Sequence, residues 1–202
     1  MNSSIYIDPR AAIIGDVTIG ENSSIWPGAV IRADLTGISI GCYSSIQDNC
    51  VIHGDKGHPV NLGNFITVGH GAVIHGSTVE DCSVIGMNSI LQNDCVIGKG
   101  SVVAAGANVK PRTVVPPFSL VIGNPGVVKE NWDTNYTSNL EGALVYFFLS
   151  RYYIKHGKML KEKISSVYMK AKEEAEKINI RYKNNDFTDI SNIYIYDIDC
   201  DA

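Results

Sequence analysis

An aliphatic residue at every sixth position limits this chain's folds more than any other feature. The run begins at Ile13, Ile19, Ile25 and Ile31, resumes at Ile40, Ile46 and Ile52, and again at Leu62, Val68 and Ile74. It then continues unbroken from Val79 through Ile85, Leu91, Ile97, Val103, Val109 and Val115 to Val121. Six matches neither the 3.6-residue period of a helix face nor the two-residue alternation of a flat strand. It does match a chain that wraps around a prism, one short strand and one corner per hexapeptide, meeting the interior once per step. Glycine and small residues, frequent between the aliphatic positions, suit the tight corners. The expected fold is therefore a parallel β-helix with about three hexapeptides per coil.

The interruptions fix the register. Ile31 to Ile40 is nine positions, Ile52 to Leu62 ten, and Ile74 to Val79 five. Loops of three and four extra residues are expected to leave the prism there, and one corner to be shortened. Counting through these breaks aligns Arg32, His53, His75 and Gln92 in one outward column, with Pro27, Asp48, His70 and Met87 in a parallel one. At about 4.8 Å between rungs, His53 and His75 become neighbours.

Two imidazoles one rung apart can both reach a metal ion at about 2.0–2.1 Å, and a third nitrogen would complete a site that keeps one position for water. His70 is the candidate third ligand. It precedes His75 by five residues and belongs to another face, so its side chain should point away from the pair. A second copy of the chain could supply it across an interface, and a three-sided prism suggests a cyclic homotrimer with intersubunit metal sites.

The segments RADLTGISIG, SIQDNCVIH and VGHGAVIHG resemble those of the γ-class carbonic anhydrases and their relatives, over roughly residues 5–150. That resemblance implies a left-handed hexapeptide β-helix with zinc as cofactor, iron or cobalt being the alternatives. It implies reversible hydration of carbon dioxide to bicarbonate, with His53 and His75 as ligands from one subunit and His70 from the next. Arg32 and Asp34 match the family's R-x-D motif, and Gln47 and Asp48 its Gln-Asp pair. Gln47 is expected to orient the reacting water or nascent bicarbonate, and Asp48 to hold the His70 ring. Arg32 and Asp34 are expected to form an ion pair between subunits. Tyr146 lies in an A-x-x-Y stretch similar to one in shorter relatives, where a helix tyrosine approaches the metal pocket. The prototype's proton-carrying glutamates are missing: Leu35 follows Asp34, and the loop after His53 is GDKGHPVN, which offers Asp55 and His58 instead. The same resemblance leaves two other readings open, a scaffold member with weak or no activity and a hexapeptide acyltransferase or CoA-linked enzyme.

Composition divides the chain. Residues 1–128 hold 17 of the 19 glycines but 15 of the 38 charged residues, which places the end of the β-helix near Val128. Over 139–182 the pattern turns helical, with Leu140, Leu144, Phe147, Phe148 and Tyr152, then Leu160, Ile164 and Val167, and Gly157 marks a stop between two helices. A helical segment 129–183 is expected to pack on the prism, followed by an acidic tail over 184–202 that docks loosely. A net charge of −4 disfavours nucleic acid and anionic membranes as partners. The absence of a spanning apolar run and of a secretory-type start suggests a cytoplasmic protein. Five scattered cysteines without a CxxC pair suggest idle thiols.

Overall fold

The computed structural model describes residues 4–132, 136–157 and 163–183. The acidic tail, Leu160 and Cys200 lie outside the described residues.

Short parallel strands stack into three ladders, as the period demands. One contains Tyr6–Ile7, Ser24–Ile25, Ser45–Ile46, Thr67–Val68, Val84–Ile85, Val102–Val103 and Leu120–Ile122. The second carries Val51–His53, Val73–His75, Ile90–Leu91 and Asn108–Val109, and the third Val60–Leu62, Thr78–Val79, Val96–Ile97 and Val114–Val115. The aliphatic residues from Ile25 to Val121 fill the interior and are buried. Ile13, in the first coil, is 37% exposed because its rung is the last on that ladder and only Ile31 pairs with it.

The first insertion does not form the expected loop. Val30–Ile40 is one continuous strand that turns from the second ladder into the third: Val30, Ile31 and Arg32 pair with Val51, Ile52 and His53, while Ile38, Ser39 and Ile40 pair with Val60, Asn61 and Leu62. Ala12–Ile19 runs parallel beside it and pairs with residues 30–33 and 38–40, so the extra residues 34–37 bulge between two paired stretches of one strand and do not form a separate loop. The register shifts just past Gly15, whose φ of 84° and close approach to the Ala33 carbonyl oxygen leave no room for a side chain. The second insertion does leave the prism, as a small hairpin closed by an antiparallel bridge between Asp55 and His58.

Beyond the last coil, Leu120–Ile122 pairs antiparallel with Val127–Lys129. Helix α1 (Tyr136–His156) then lies on the first ladder and α2 (Ile164–Lys183) packs on α1. Leu140, Leu144, Phe147, Phe148 and Tyr152 are buried, as their spacing predicts. On α2 the buried stripe is Val167, Ala171, Ala175 and Ile178, whereas Ile164 is exposed. Beneath α1 two corners are built from Tyr43 and Phe65 at φ 54°, a region most side chains avoid, with rings stacked 4.9 Å apart. No helix among the described residues is long and apolar enough to cross a membrane.

Candidate metal centre

The edge of the second ladder brings Arg32, Asp34, His53 and His75 together. Strand pairing sets Arg32 beside His53 and His53 beside His75, the order expected from the sequence. The two rings lie with centroids 5.0 Å apart, and His53 Nδ1 is 3.0 Å from His75 Nε2. Asp34 accepts from both of its neighbours, Arg32 and His53, with His53 Nε2 3.0 Å from its Oδ1. Arg32 and Asp34 thus pair within one chain, because the continuous strand places them two residues apart on the same side. Partial burial pushes the Asp34 carboxyl up, but the hydrogen bonds from Arg32 and His53 outweigh it and hold the group below the usual carboxylate range.

The tautomers follow from these partners. Asp34 requires a proton on His53 Nε2, and the Asn93 side-chain oxygen, in contact with His75 Nδ1, requires one there. The Asn93 side chain also lies near the Asp55 carboxylate, which favours its nitrogen on that side and its oxygen toward His75. In the neutral pair, His53 Nδ1 and His75 Nε2 therefore face each other with two lone pairs at 3.0 Å. A proton or a cation between them removes that conflict. Two neutral imidazole nitrogens at this separation, each oriented through its other nitrogen, fit the donor set that zinc-type ions accept. Asn93 was not singled out from the sequence; its signal is its place immediately after Gln92, which stands in the histidine column.

His70 stands apart from the pair. It occupies a corner, is about half exposed, and its Nδ1 lies 2.9 Å from Asp48 Oδ2, leaving Nε2 free to point outward. Among the described residues no group of three or more His, Cys, Asp or Glu side chains gathers as a ligand set within a single chain. Gln47, next to Asp48, is buried at 4% exposure beside the ladder that α1 covers. Tyr146 comes down from α1 with its ring edge-on to Trp26, centroids 5.6 Å apart. Burial, with the Asp48 carboxylate adding to it, pushes the Tyr146 phenol up. Gln47, Asp48, His70 and Tyr146 thus form a second group around the corner from the imidazole pair.

The thiols take no part among the described residues. Burial pushes Cys50 up to about 11 and Cys82 up to about 12, so both stay protonated and make poor ligands.

An imidazole pair on adjacent rungs of a hexapeptide solenoid points to a metal-binding member of that class, and comparison with known proteins gives the family. The family model described as bacterial transferase hexapeptide (six repeats) matches residues 4–33 and 76–111. The chain is 46% identical over 151 residues to the "Probable carbonic anhydrase" of Methanocaldococcus jannaschii, covering 74% of this chain and 95% of that one. It is 43% identical over 131 residues to the mitochondrial gamma carbonic anhydrase 2 of Arabidopsis thaliana, covering 62% of this chain and 47% of that protein, so it spans about half the length of that relative. Among solved structures, a hexapeptide transferase family protein from Anaplasma phagocytophilum superposes with a TM-score of 0.66 at 33% identity, over 74% of this chain and 92% of that one. The chain belongs to the γ-class carbonic anhydrase family.

Proposed function

We propose that this protein is a carbonic anhydrase that hydrates carbon dioxide reversibly to bicarbonate at a metal site shared between subunits of a homotrimer. The observation that carries the reading is the pair of facing lone pairs on His53 and His75, each fixed by a partner on the far side of its ring. In this reading His53 and His75 of one subunit and His70 of the next hold the ion, which is zinc, iron or cobalt. When bound, the ion supplies the Lewis acidity that makes water a nucleophile near neutral pH.

The chain's own residues do the rest. Asp34 and Asn93 fix the ring orientations of His53 and His75 before anything binds, and Asp48 does the same for His70. Arg32 keeps Asp34 ionised, so that Asp34 accepts the His53 proton and does not donate its own. Gln47 orients the reacting water or the bicarbonate by amide hydrogen bonds, and Tyr146, neutral because its phenol is pushed up, offers a donor beside Asp48. The likeness to a hexapeptide transferase supports the fold, whereas the facing imidazoles favour metal chemistry over a single-histidine general base.

The test is complementation. His70→Ala and His75→Ala chains are each expected to lack bound metal and hydration activity. Assembled together, a His75→Ala chain would offer its intact His70 to the intact His53 and His75 of a His70→Ala chain, so part of both metal and activity should return. Mixed assemblies that stay inactive, or a metal-loaded monomer in sedimentation, would overturn the shared site.

A further inference from the structure

A cavity of about 500 Å³ opens beside His75, lined also by His58, Gln92, Asn93, Asp94 and Arg112. His58 belongs to the small hairpin that leaves the prism after His53, and three contacts seat it here. The hairpin is closed by Asp55 N–H donating to the His58 carbonyl at 3.1 Å and His58 N–H to the Asp55 carbonyl at 2.8 Å. Asp55 in turn faces the side chain of Asn93, the residue that orients His75, and its carboxyl is held below the usual carboxylate range chiefly by the Lys56 N–H, with Asn93 adding to it. The ring itself is held by Asp94, whose Oδ1 lies 2.7 Å from His58 Nδ1. Gly76 makes the approach possible: a side chain there would begin 2.7 Å from the His58 Cβ.

We propose that His58, oriented by Asp94 at the rim of this cavity, relays the proton released by hydration to solvent. This rests on the carbon dioxide hydration proposed above. Carbon dioxide and water give bicarbonate and one proton per turnover, and the proton must leave before the next. His58 Nδ1–H donates to Asp94, which leaves Nε2 as the basic atom. Nε2 takes the released proton through water in the cavity, becomes the second N–H of an imidazolium, and passes it to a buffer base, so the neutral ring returns unchanged. Imidazole can take up and release a proton in the neutral range. Asp94 and Asp55 are the acidic groups that face the hairpin, and His75 and Arg112 are the basic side chains on the cavity wall. His58 is one-third exposed, enough to meet a buffer molecule.

The experiment is stopped-flow hydration by the full, zinc-loaded chain across a buffer series, comparing wild type with His58→Ala, His58→Gln and Asp94→Asn. Both His58 variants should lose kcat by roughly tenfold or more in dilute buffer while kcat/KM stays within about twofold. Added imidazole should restore the His58→Ala rate, and concentrated buffer should close the gap. Asp94→Asn should fall between them, because it misorients the ring without removing it. His58→Gln guards against a folding artefact, since an amide can still bond to Asp94 but cannot carry the proton. Unchanged kcat in dilute buffer for a folded His58→Gln variant, with active wild type, would overturn the relay alone. So would a joint loss of kcat and kcat/KM that imidazole does not rescue. A metal-loaded wild type without hydration activity would overturn the function proposed for the site, and the relay with it.

Discussion

One ladder of the solenoid carries two kinds of column with the same backbone. In its early rungs Arg32, His53 and His75 succeed one another, bound to Asp34 and Asn93. In its later rungs the outward polar residues are amides: Gln92 Nε2 donates to Asn108 Oδ1 at 2.7 Å, and Asn108 Nδ2 to Asn124 Oδ1 at 3.2 Å. An amide has both a donor and an acceptor, so the ladder of amides closes on itself and needs nothing further. A neutral imidazole has one of each. Once Asp34 and Asn93 have claimed the protons, the remaining atoms of His53 and His75 are two acceptors facing each other. The solenoid sets the spacing in both regions, and chemistry is possible only where the column cannot satisfy itself.

The sharpest way to break this comparison is to remove one member from each column. His53→Ala or His75→Ala should lose chelator-resistant metal and lower hydration by about 100-fold or more, as expected when a ligand is removed. Asn108→Ala, in the self-satisfied column, should leave both unchanged. Metal content by mass spectrometry and hydration kinetics on the same preparations decide the matter. Comparable losses from the two columns would mean that the imidazoles serve the fold.

Beneath the columns the two regions should behave alike. Ile74 and Leu91 are fully buried on consecutive rungs, just inside His75 and Gln92. Ile74→Ala and Leu91→Ala should each cost about 2–5 kcal/mol in denaturant unfolding, irrespective of what stands outside. A much smaller cost on one rung would show that the scaffold is not uniform. A subtler probe is the support of the site: Asn93→Ala and Asp48→Asn should each weaken metal binding about 10–100-fold in competition with a chelator. Unaltered affinity would mean that the ring orientations are set by packing alone.

The smallest effect concerns proton export. Leu35 is 56% exposed beside Asp34. Leu35→Glu should raise turnover in dilute buffer a few-fold, with the carbon dioxide KM unchanged, because it adds a proton acceptor without touching the attacking water. No gain at any buffer concentration would mean that a carboxylate at this position takes no part in proton export.

The aliphatic period placed the bulky part of the interior, while the smaller residues two positions earlier, among them Ala29, Cys50, Ala72, Cys95 and Ala107, are buried in the same core and carry no period of one residue type. Counting through the insertions also put Arg32, His53 and His75 on adjacent rungs. The insertions themselves were less legible. Nothing in TGISI distinguishes a loop from a strand until Ala12–Ile19 is known to lie alongside and offer hydrogen bonds. The corners at Tyr43 and Phe65 were hidden for a related reason: their strained backbone is offset by aromatic packing under α1, a contact between residues far apart in the chain. The buried stripe of α2 was obscured by its alanines, which register weakly in an apolar pattern although they allow close approach to α1. Asn93 and Asp94 read as ordinary turn residues, and their roles appear only when the hairpin at Asp55–His58 folds down on them.

The strand Val30–Ile40 has a bearing on how the molecule comes apart. In a solenoid with three separate ladders, each wall could fray at its own pace, one hexapeptide at a time. Here a single segment is a rung of two walls, so peeling past it means breaking both together. Asp34 lies in the middle of that segment, between the part bound to Val51–His53 and the part bound to Val60–Leu62. The carboxylate that fixes the His53 proton is thus clamped from two sides, and fraying from the amino terminus meets a lock before it reaches the imidazoles.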